Sequence, residues 1–154
     1  MLVKISTVLS CPPERVWQEV QTPRLLLQIA YPLVVFEPVQ PSAFPETWDE
    51  ENYLVRMRLF GFLPFGEQWI VIKKTISGEK YEMLDDGHSR IIKQWRHLIT
   101  VQQTSEGFTR YTDTVDIEAG WLTPGIWLFA TIFYSHRQRR WRKLVGKDFR
   151  YERT

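Results

Sequence analysis

The segment PGIWLFATIFYSHRQRRWRKLVGK, residues 124–147, decides the fold because it carries the pattern of one long helix. Pro124 lies near its start and Gly146 near its end, which is typical of the two ends of a helix. Side chains spaced three or four residues apart form a single stripe that can face a core. That stripe consists of Ile126, Phe129, Phe133, Arg137, Trp141 and Leu144. We predict a helix over Pro124–Lys147, with Arg137 as an unexpected charge inside its apolar stripe.

The chain before this helix is rich in strand-forming patterns. Short turn signals such as Ser77-Gly78 and Asp85-Asp86-Gly87 separate several of the strands, so neighbouring strands should form antiparallel hairpins. The predicted strands are Leu2–Leu9, Leu33–Pro38, Asn52–Phe60, Phe65–Ser77, Lys80–Asp85, Ser89–Gln103 and Phe108–Glu118.

Two short helices are predicted between the first and second strands. Ser10 followed by two prolines, and Thr22 followed by Pro23, are both typical helix starts, and Pro32 ends the second helix. The resulting order favours an α+β fold, in which a curved antiparallel sheet of about seven strands wraps around the long C-terminal helix. Such packing leaves a hollow between sheet and helix, where ligands commonly bind.

The composition is that of an ordinary globular protein, with 154 residues, 44% hydrophobic and 25% charged. We expect a single ligand-binding domain over residues 1–154, because this length is typical of one domain. Cys11 is the only cysteine, which excludes an intramolecular disulfide and a cysteine-based metal site. The N-terminus has no signal-peptide pattern, and no apolar stretch is long enough to cross a bilayer. We therefore expect a cytoplasmic protein.

The sequence contains no familiar catalytic or cofactor-binding motif, neither a Gly-rich phosphate loop, His-Glu-x-x-His nor Gly-x-Ser-x-Gly. Its three histidines, His88, His97 and His136, are scattered over a predicted turn, strand and helix. We therefore assign no metal and no cofactor.

The charge is unevenly distributed along the chain. Residues 1–120 hold 12 Lys and Arg against 16 Asp and Glu, a net −4, whereas residues 121–154 hold 8 against 2, a net +6. The basic stretch Arg137–Lys143 could contact acidic lipid headgroups, which makes peripheral membrane contact one interpretation. We favour a solvated helix face whose cations suit the negative end of the helix dipole, and we expect no nucleic-acid partner.

Several local patterns carry a resemblance to a known superfamily. They are Ser10–Trp17, Phe60–Glu67, Trp95–His97, Tyr111–Val115 and Phe133–Arg137. With the order of elements, these segments resemble the START/pollen-allergen-like helix-grip superfamily (SRPBCC), and within it the bacterial polyketide cyclase/dehydratase-like branch. The resemblance covers nearly the whole chain.

The resemblance implies a helix-grip fold and a hydrophobic ligand, but no particular activity, because one fold hosts many functions. Members include lipid carriers, hormone receptors and aromatase/cyclases. Relatives often have a Pro-Gly pair after the Asp-containing strand, and Pro124-Gly125 fills that place here. We expect a His-x-His pattern in relatives, whereas this chain has His97 followed by Ile99 in the second place.

The last predicted strand places Tyr111 and Asp113 on its inward face. A buried carboxylate has to be paired or neutral, so Arg137 on the inner helix stripe is its hypothesised partner. The pair would either anchor the polar end of a ligand or form only a structural ion pair between sheet and helix.

The preceding strands supply two further candidates. His97 shares a face with Trp95, and is either a ligand contact, a general acid or base, or a hydrogen-bonded core histidine. Trp69 shares a face of its strand with Glu67. On the strand before, Arg56 and Arg58 share a face with each other. Each of these two faces points either inward or to solvent.

We expect the chain to bind, and in a further step to transport, a small hydrophobic molecule such as a lipid, isoprenoid or aromatic polyketide. The alternatives are a cyclase or dehydratase in which His97 and Asp113 shuttle protons, and a membrane-surface or scaffold protein that uses the basic helix. The expected ligand contacts are Trp69, Trp95, His97, Tyr111, Asp113, Phe129, Phe133 and Arg137.

Overall fold

A computed structural model describes residues 1–152 and shows a seven-stranded antiparallel sheet that curves around a long helix. The strands are β1 (Leu2–Leu9), β2 (Val34–Gln40), β3 (Asn52–Leu59), β4 (Leu63–Ser77), β5 (Lys80–Ser89), β6 (Gln94–Gln103) and β7 (Thr109–Glu118). Their order in the sheet is β1-β7-β6-β5-β4-β3-β2, so the first two strands in sequence lie at opposite edges. From β2 to β7, each strand is hydrogen-bonded to the next strand in sequence.

Three α-helices complete the fold: α1 (Pro13–Val20), α2 (Pro23–Ala30) and α3 (Thr123–Gly146). Each has a proline in its first turn, where the missing N–H costs no helical hydrogen bond. The Thr22 hydroxyl also accepts a hydrogen bond of 3.2 Å from the Leu25 N–H and so caps α2. The predicted α+β helix-grip fold class is therefore confirmed.

The main departure from the sequence prediction is the length of β5. Asp85-Asp86-Gly87 was expected to be a turn, but β5 continues through it to Ser89, and β6 begins only at Gln94. Gly87 is needed there because a Cβ atom would lie 2.7 Å from the Trp69 carbonyl oxygen. The longer strand places Asp85 inside the sheet instead of at a turn.

The space between α3 and the sheet divides into two regions. The packed half lies beneath the C-terminal turns of α3, where Trp141 and Tyr111 meet edge to face at 5.9 Å between ring centroids. It consists of side chains with 3% exposure or less: Leu9, Val16, Val101, Tyr111, Trp141 and Leu144.

The hollow half lies beneath the N-terminal turns of α3, over strands β2 to β6. Ile126 and Phe129 are only partly buried there, because the helix does not close against the sheet. This region positions the candidate site. No helix in residues 1–152 combines the length and apolar character that crossing a membrane requires.

Candidate functional site

The hollow half contains a cavity of about 310 Å³. Ligand pockets usually have volumes of roughly 300–1,000 Å³, so this one is at the small end of that range. Its walls are mainly aliphatic and aromatic side chains from α1, α2, β2 to β6 and α3. They include Ile70, Met83, Trp95, Ile99, Phe129 and Phe133.

A small group of polar side chains also lines this apolar space. β5 and β6 pair so that Asp85 and His97 are direct cross-strand neighbours on the inner face. Arg137 and Tyr134 come from α3 on the opposite side, and Gln68 comes from β4. We call these five residues the polar cluster.

Asp85 is held in place by the backbone of the neighbouring strand. Its Oδ1 atom accepts a hydrogen bond of 2.9 Å from the Val71 N–H. Burial raises the pKa of Asp85 to about 7, although this bond and the charge of Arg137 act in the opposite direction. Near neutral pH the carboxyl group is therefore divided between its protonated and ionised forms.

His97 is bonded to Asp113, which lies diagonally across β6 and β7. His97 pairs with Val115, two residues along from Asp113, and its Nε2 atom lies 2.8 Å from Asp113 Oδ1. An ionised carboxylate can only accept, so Nε2 carries the hydrogen and Nδ1 of the neutral ring carries a lone pair. In residues 1–152 no hydrogen bond occupies Nδ1, and the ring lines the cavity.

Burial lowers the pKa of His97, and this effect outweighs the hydrogen bond and the negative charge of Asp113. The imidazole is therefore neutral at physiological pH. It has the tautomer and the free lone pair of a general base that a carboxylate orients.

Asp113 is fully buried and has three hydrogen-bonding partners. Besides His97, the Tyr111 hydroxyl donates to Oδ1 at 3.1 Å and the Gln138 amide donates to Oδ2 at 3.2 Å. Burial alone would raise its pKa, but the charge of Arg137 and the bonds from His97 and Gln138 lower it below the usual value. Asp113 is thus an ionised carboxylate behind the cavity wall.

Arg137 is 5% exposed, and its side chain lines the cavity. Within the described part of the chain, no carboxylate lies within 4 Å of its guanidinium, and its Nε atom has no hydrogen-bond partner. Its guanidinium carbon lies 4.9 Å from the centroid of the Tyr134 ring. Burial lowers the pKa of Arg137, but Asp113, Tyr111 and Tyr134 raise it more, so the positive charge is retained.

Tyr134 connects the cluster to the aromatic wall. Its hydroxyl accepts a hydrogen bond of 3.3 Å from Trp95 Nε1, and its ring lies 4.8 Å from that of His97. Burial raises the pKa of Tyr134, so its hydroxyl stays protonated and remains a donor. The polar cluster therefore combines a cation, a neutral base, a titratable carboxyl group and a hydroxyl donor.

A comparison with protein families identifies the chain's relatives. Residues 7–145 match the family described as "Domain of unknown function (DUF8410)". The chain belongs to this family. No curated protein matches the chain.

Solved structures confirm the fold. A protein from Chromobacterium violaceum has a TM-score of 0.68 at 16% identity, covering 94% of this chain and 96% of its own. A START superfamily protein from Mycobacterium smegmatis has a TM-score of 0.60 at 10% identity, covering 95% of this chain and 97% of its own. The protein Ara h 8.0201 has a TM-score of 0.63 at 10% identity, covering 96% of this chain and 98% of its own. The helix-grip fold of the START/pollen-allergen-like superfamily is thus shown, and the polyketide cyclase-like branch stays a prediction.

The structure brings five of the sequence-predicted site residues to the cavity. Trp95, His97, Phe129, Phe133 and Arg137 all line it. Asp113 and Arg137, which were expected to pair, are close enough for each to shift the pKa of the other. The direct hydrogen-bonding partner of Asp113 is instead His97.

Three other predicted contacts do not line the cavity. Asp113 and Tyr111 lie behind its wall, since both are 0% exposed and bonded to each other within the core. Trp69 lies on the outer face of β4, because alternation places Gln68 and Ile70 on the inner face.

Sequence reasoning missed Asp85, Gln68 and Tyr134. Asp85 was predicted to be the last residue of a strand and the first of a turn, so its pairing opposite His97 could not be seen. Gln68 shares a face with Ile70, and this alternation was the available signal. Tyr134 directly follows Phe133 on the predicted helix. A core-facing helix usually buries a stripe wide enough to include such a neighbouring residue, and this width was the available signal.

The basic end of α3 is used largely within the protein. Arg140 Nε donates to the Gln28 backbone carbonyl at 2.8 Å, and Arg142 donates to the Thr7 hydroxyl at 2.8 Å. Arg56 and Glu67 form an exposed ion pair of 3.0 Å on the outer face of the sheet. Over residues 1–152, no three side chains of His, Cys, Asp or Glu are grouped closely enough to hold a metal ion.

Proposed function

We propose that the chain binds a small, largely hydrophobic molecule, such as a lipid, isoprenoid or aromatic polyketide, in the cavity of its hollow half. The observation that carries this proposal is an open space of about 310 Å³ with apolar walls and a polar cluster. Walls of this kind attract the apolar body of a ligand, while a few polar groups fix its orientation. Transport is the extension of this proposal to a ligand that is later released.

The apolar walls can supply much of the gross driving force. Each Å² of apolar surface removed from water contributes about 25 cal/mol, from which the costs of immobilising the ligand are subtracted. Phe129 and Phe133 stack at 6.0 Å between ring centroids with nearly parallel rings, and both line the cavity. These aromatic walls suit a hydrocarbon ligand.

The test is native mass spectrometry of the purified protein, followed by solvent extraction of any retained molecule. A bound ligand appears as a mass above that of the bare chain. Met83→Phe adds volume on the inner face of β5, and we expect it to lose the extra mass. Leu84→Phe, on the opposite face of the same strand, is the matched control and should keep it.

Binding of the fluorescent dye 1-anilinonaphthalene-8-sulfonate provides an independent measurement. The proposal expects dye binding that Met83→Phe weakens and Leu84→Phe does not. A protein that carries no extra mass and whose dye binding is the same in all three forms would contradict it.

A second candidate is an acid–base enzyme of the cyclase or dehydratase kind, and the contact between His97 and Asp113 favours it. An oriented, neutral imidazole next to an apolar cavity can accept a proton from a bound substrate. The Tyr134 hydroxyl and Asp85 are proton donors in the same cluster.

This candidate can be tested with 5-nitrobenzisoxazole, a small planar compound that opens when a base removes its ring C–H proton and the N–O bond breaks. The released phenolate is measured by its absorbance. If His97 acts as a base, the wild-type protein accelerates the reaction and His97→Gln abolishes the acceleration. Equal rates for both proteins would contradict the enzymatic candidate while leaving ligand binding intact.

A further inference from the structure

The polar cluster places a positively charged donor in an otherwise apolar cavity. We propose that the ligand is a hydrophobic monocarboxylate whose carboxylate is bound by Arg137 beside Asp85. This inference rests on the proposed function and specifies the chemical class of the ligand.

The guanidinium group of Arg137 is available to a ligand. Arg137 lines the cavity and is 5% exposed, and no carboxylate of the described residues approaches it within 4 Å. Buried guanidinium groups normally make charge-assisted hydrogen bonds, often to both oxygens of a carboxylate. A ligand carboxylate would bind the terminal N–H groups of this guanidinium from the cavity.

The nearby carboxylate of Asp113 already has its own hydrogen-bonding partners. Asp113 balances the charge of Arg137 at longer range, but its oxygens accept from His97, Tyr111 and Gln138. It therefore keeps the cation charged without covering it. This arrangement leaves a charged donor facing the cavity.

The number of charges near the cavity limits the ligand. Arg137 is the only lysine or arginine among the residues that line the cavity in the described chain. A monocarboxylate adds one negative charge beside Arg137 and Asp113, whereas a phosphate adds up to two, which costs more in an apolar space. One cation and apolar walls thus favour a carboxylic acid with a hydrocarbon body.

Asp85 couples this binding to pH. Two carboxylates side by side cannot both be ionised without a large cost, so Asp85 must be protonated and can then donate to the ligand. Ligand affinity should therefore fall as the pH rises above neutrality. The groups facing or neighbouring Asp85 are Gln68 and the Val71 N–H on β4, Asp86 on β5, His97 on β6, and Tyr134 and Arg137 on α3.

The first experiment compares acids with alcohols of matched length, using the wild-type protein. Decanoate and decan-1-ol, and 4-phenylbutyrate and 4-phenylbutan-1-ol, are titrated at pH 6 while tryptophan fluorescence is followed. We expect each acid to bind about ten- to one-hundred-fold more tightly than its alcohol, as is typical of a hydrogen bond to a charged group.

The second experiment uses variants to assign this preference. Arg137→Gln should remove the preference for acids and leave the affinity for alcohols nearly unchanged. Arg139→Gln, an exposed position on the same helix, is the control and should behave as wild type. Between pH 6 and pH 8.5 acid affinity should fall about thirty-fold in wild type and little in Asp85→Asn.

The outcomes separate the inference from the proposed function. Alcohols that bind as tightly as the matched acids would overturn the inference and leave hydrophobic ligand binding in place. No binding of any of the four compounds would count against both. The wild-type comparison requires no substitution, so it remains decisive even where Arg137→Gln does not fold.

Discussion

The packed half and the hollow half are built from the same helix and the same sheet, yet they differ in how completely side chains fill them. Trp141 and Leu144 on the last turns of α3 are 0% and 3% exposed and contact a closed core. Ile126 and Phe129 on the first turns face open space. One amphipathic helix thus contributes core packing at one end and a cavity wall at the other.

Charge follows the same division. Arg137 lies between the two halves along α3, and Asp113 supports it from behind the cavity wall. Buried charges are costly unless they are compensated, so a folded chain must gain enough elsewhere to retain them. The closed packing beside Trp141 provides such a gain, while the polar cluster is the part open to a ligand.

The largest expected difference between the halves is in their response to truncation. Trp141→Ala should lower the free energy of unfolding by about 4 kcal/mol, because it leaves a void in closed packing. Phe129→Ala should cost only about 1–2 kcal/mol, because its side chain already borders open space. Urea denaturation measures both, and equal losses would remove the distinction between the halves.

The charges between the two halves should show the next largest effect. Asp113→Asn should destabilise the protein by about 3 kcal/mol, since it leaves Arg137 buried without compensation. Adding Arg137→Met should restore part of that loss, because the uncompensated charge is then removed. The four unfolding free energies form a double-mutant cycle, and additive losses would contradict the coupling.

The hollow half should have its own pH dependence. The pKa of Asp85 is raised from 3.8 to about 7 on folding, so the folded protein holds this proton more tightly than the unfolded chain. Stability should therefore fall as the pH rises from about 4 to 7, and remain low above 7.

Asp85→Asn removes this titration and should raise the free energy of unfolding at pH 8 by on the order of 2 kcal/mol. At pH 4 it should have little effect. Thermal melting across this pH range measures the difference. A variant that is less stable than wild type at pH 8 would show that the ionised carboxylate is stabilising.

The smallest expected effects are on the outside of the packed half. Arg142→Gln should cost about 0.5–1 kcal/mol because it loses the bond to Thr7, whereas Arg139→Gln should change stability by less than about 0.5 kcal/mol. Denaturation at low and high salt compares the two. Identical values would show that the hydrogen bond from Arg142 to Thr7 contributes nothing measurable to stability.

The order of elements could be predicted from sequence because it depends on local patterns. The prolines before α1 and α2, the alternation in the strands and the stripe on α3 all act within a few residues. The stripe also placed Arg137 inside. The end of β5 could not be predicted, because Asp-Asp-Gly is typical of turns and only close packing against Trp69 requires glycine in a strand.

The candidate site was harder to predict because its contacts join distant parts of the chain. The bond from His97 to Asp113 is a diagonal contact that depends on the register of β6 and β7. Asp85 reaches the cavity only once β5 is paired opposite His97. Tyr111 points inward as expected but meets Trp141 in the packed half, which no local pattern reveals.

The most direct test of the central claim is a crystal structure of the purified protein pressurised with xenon, which enters apolar cavities. The account expects xenon, or density for a retained ligand, beneath the first turns of α3 against Ile70, Met83 and Phe129, and none beside Trp141. Side chains that fill the hollow half and leave no site there would contradict it.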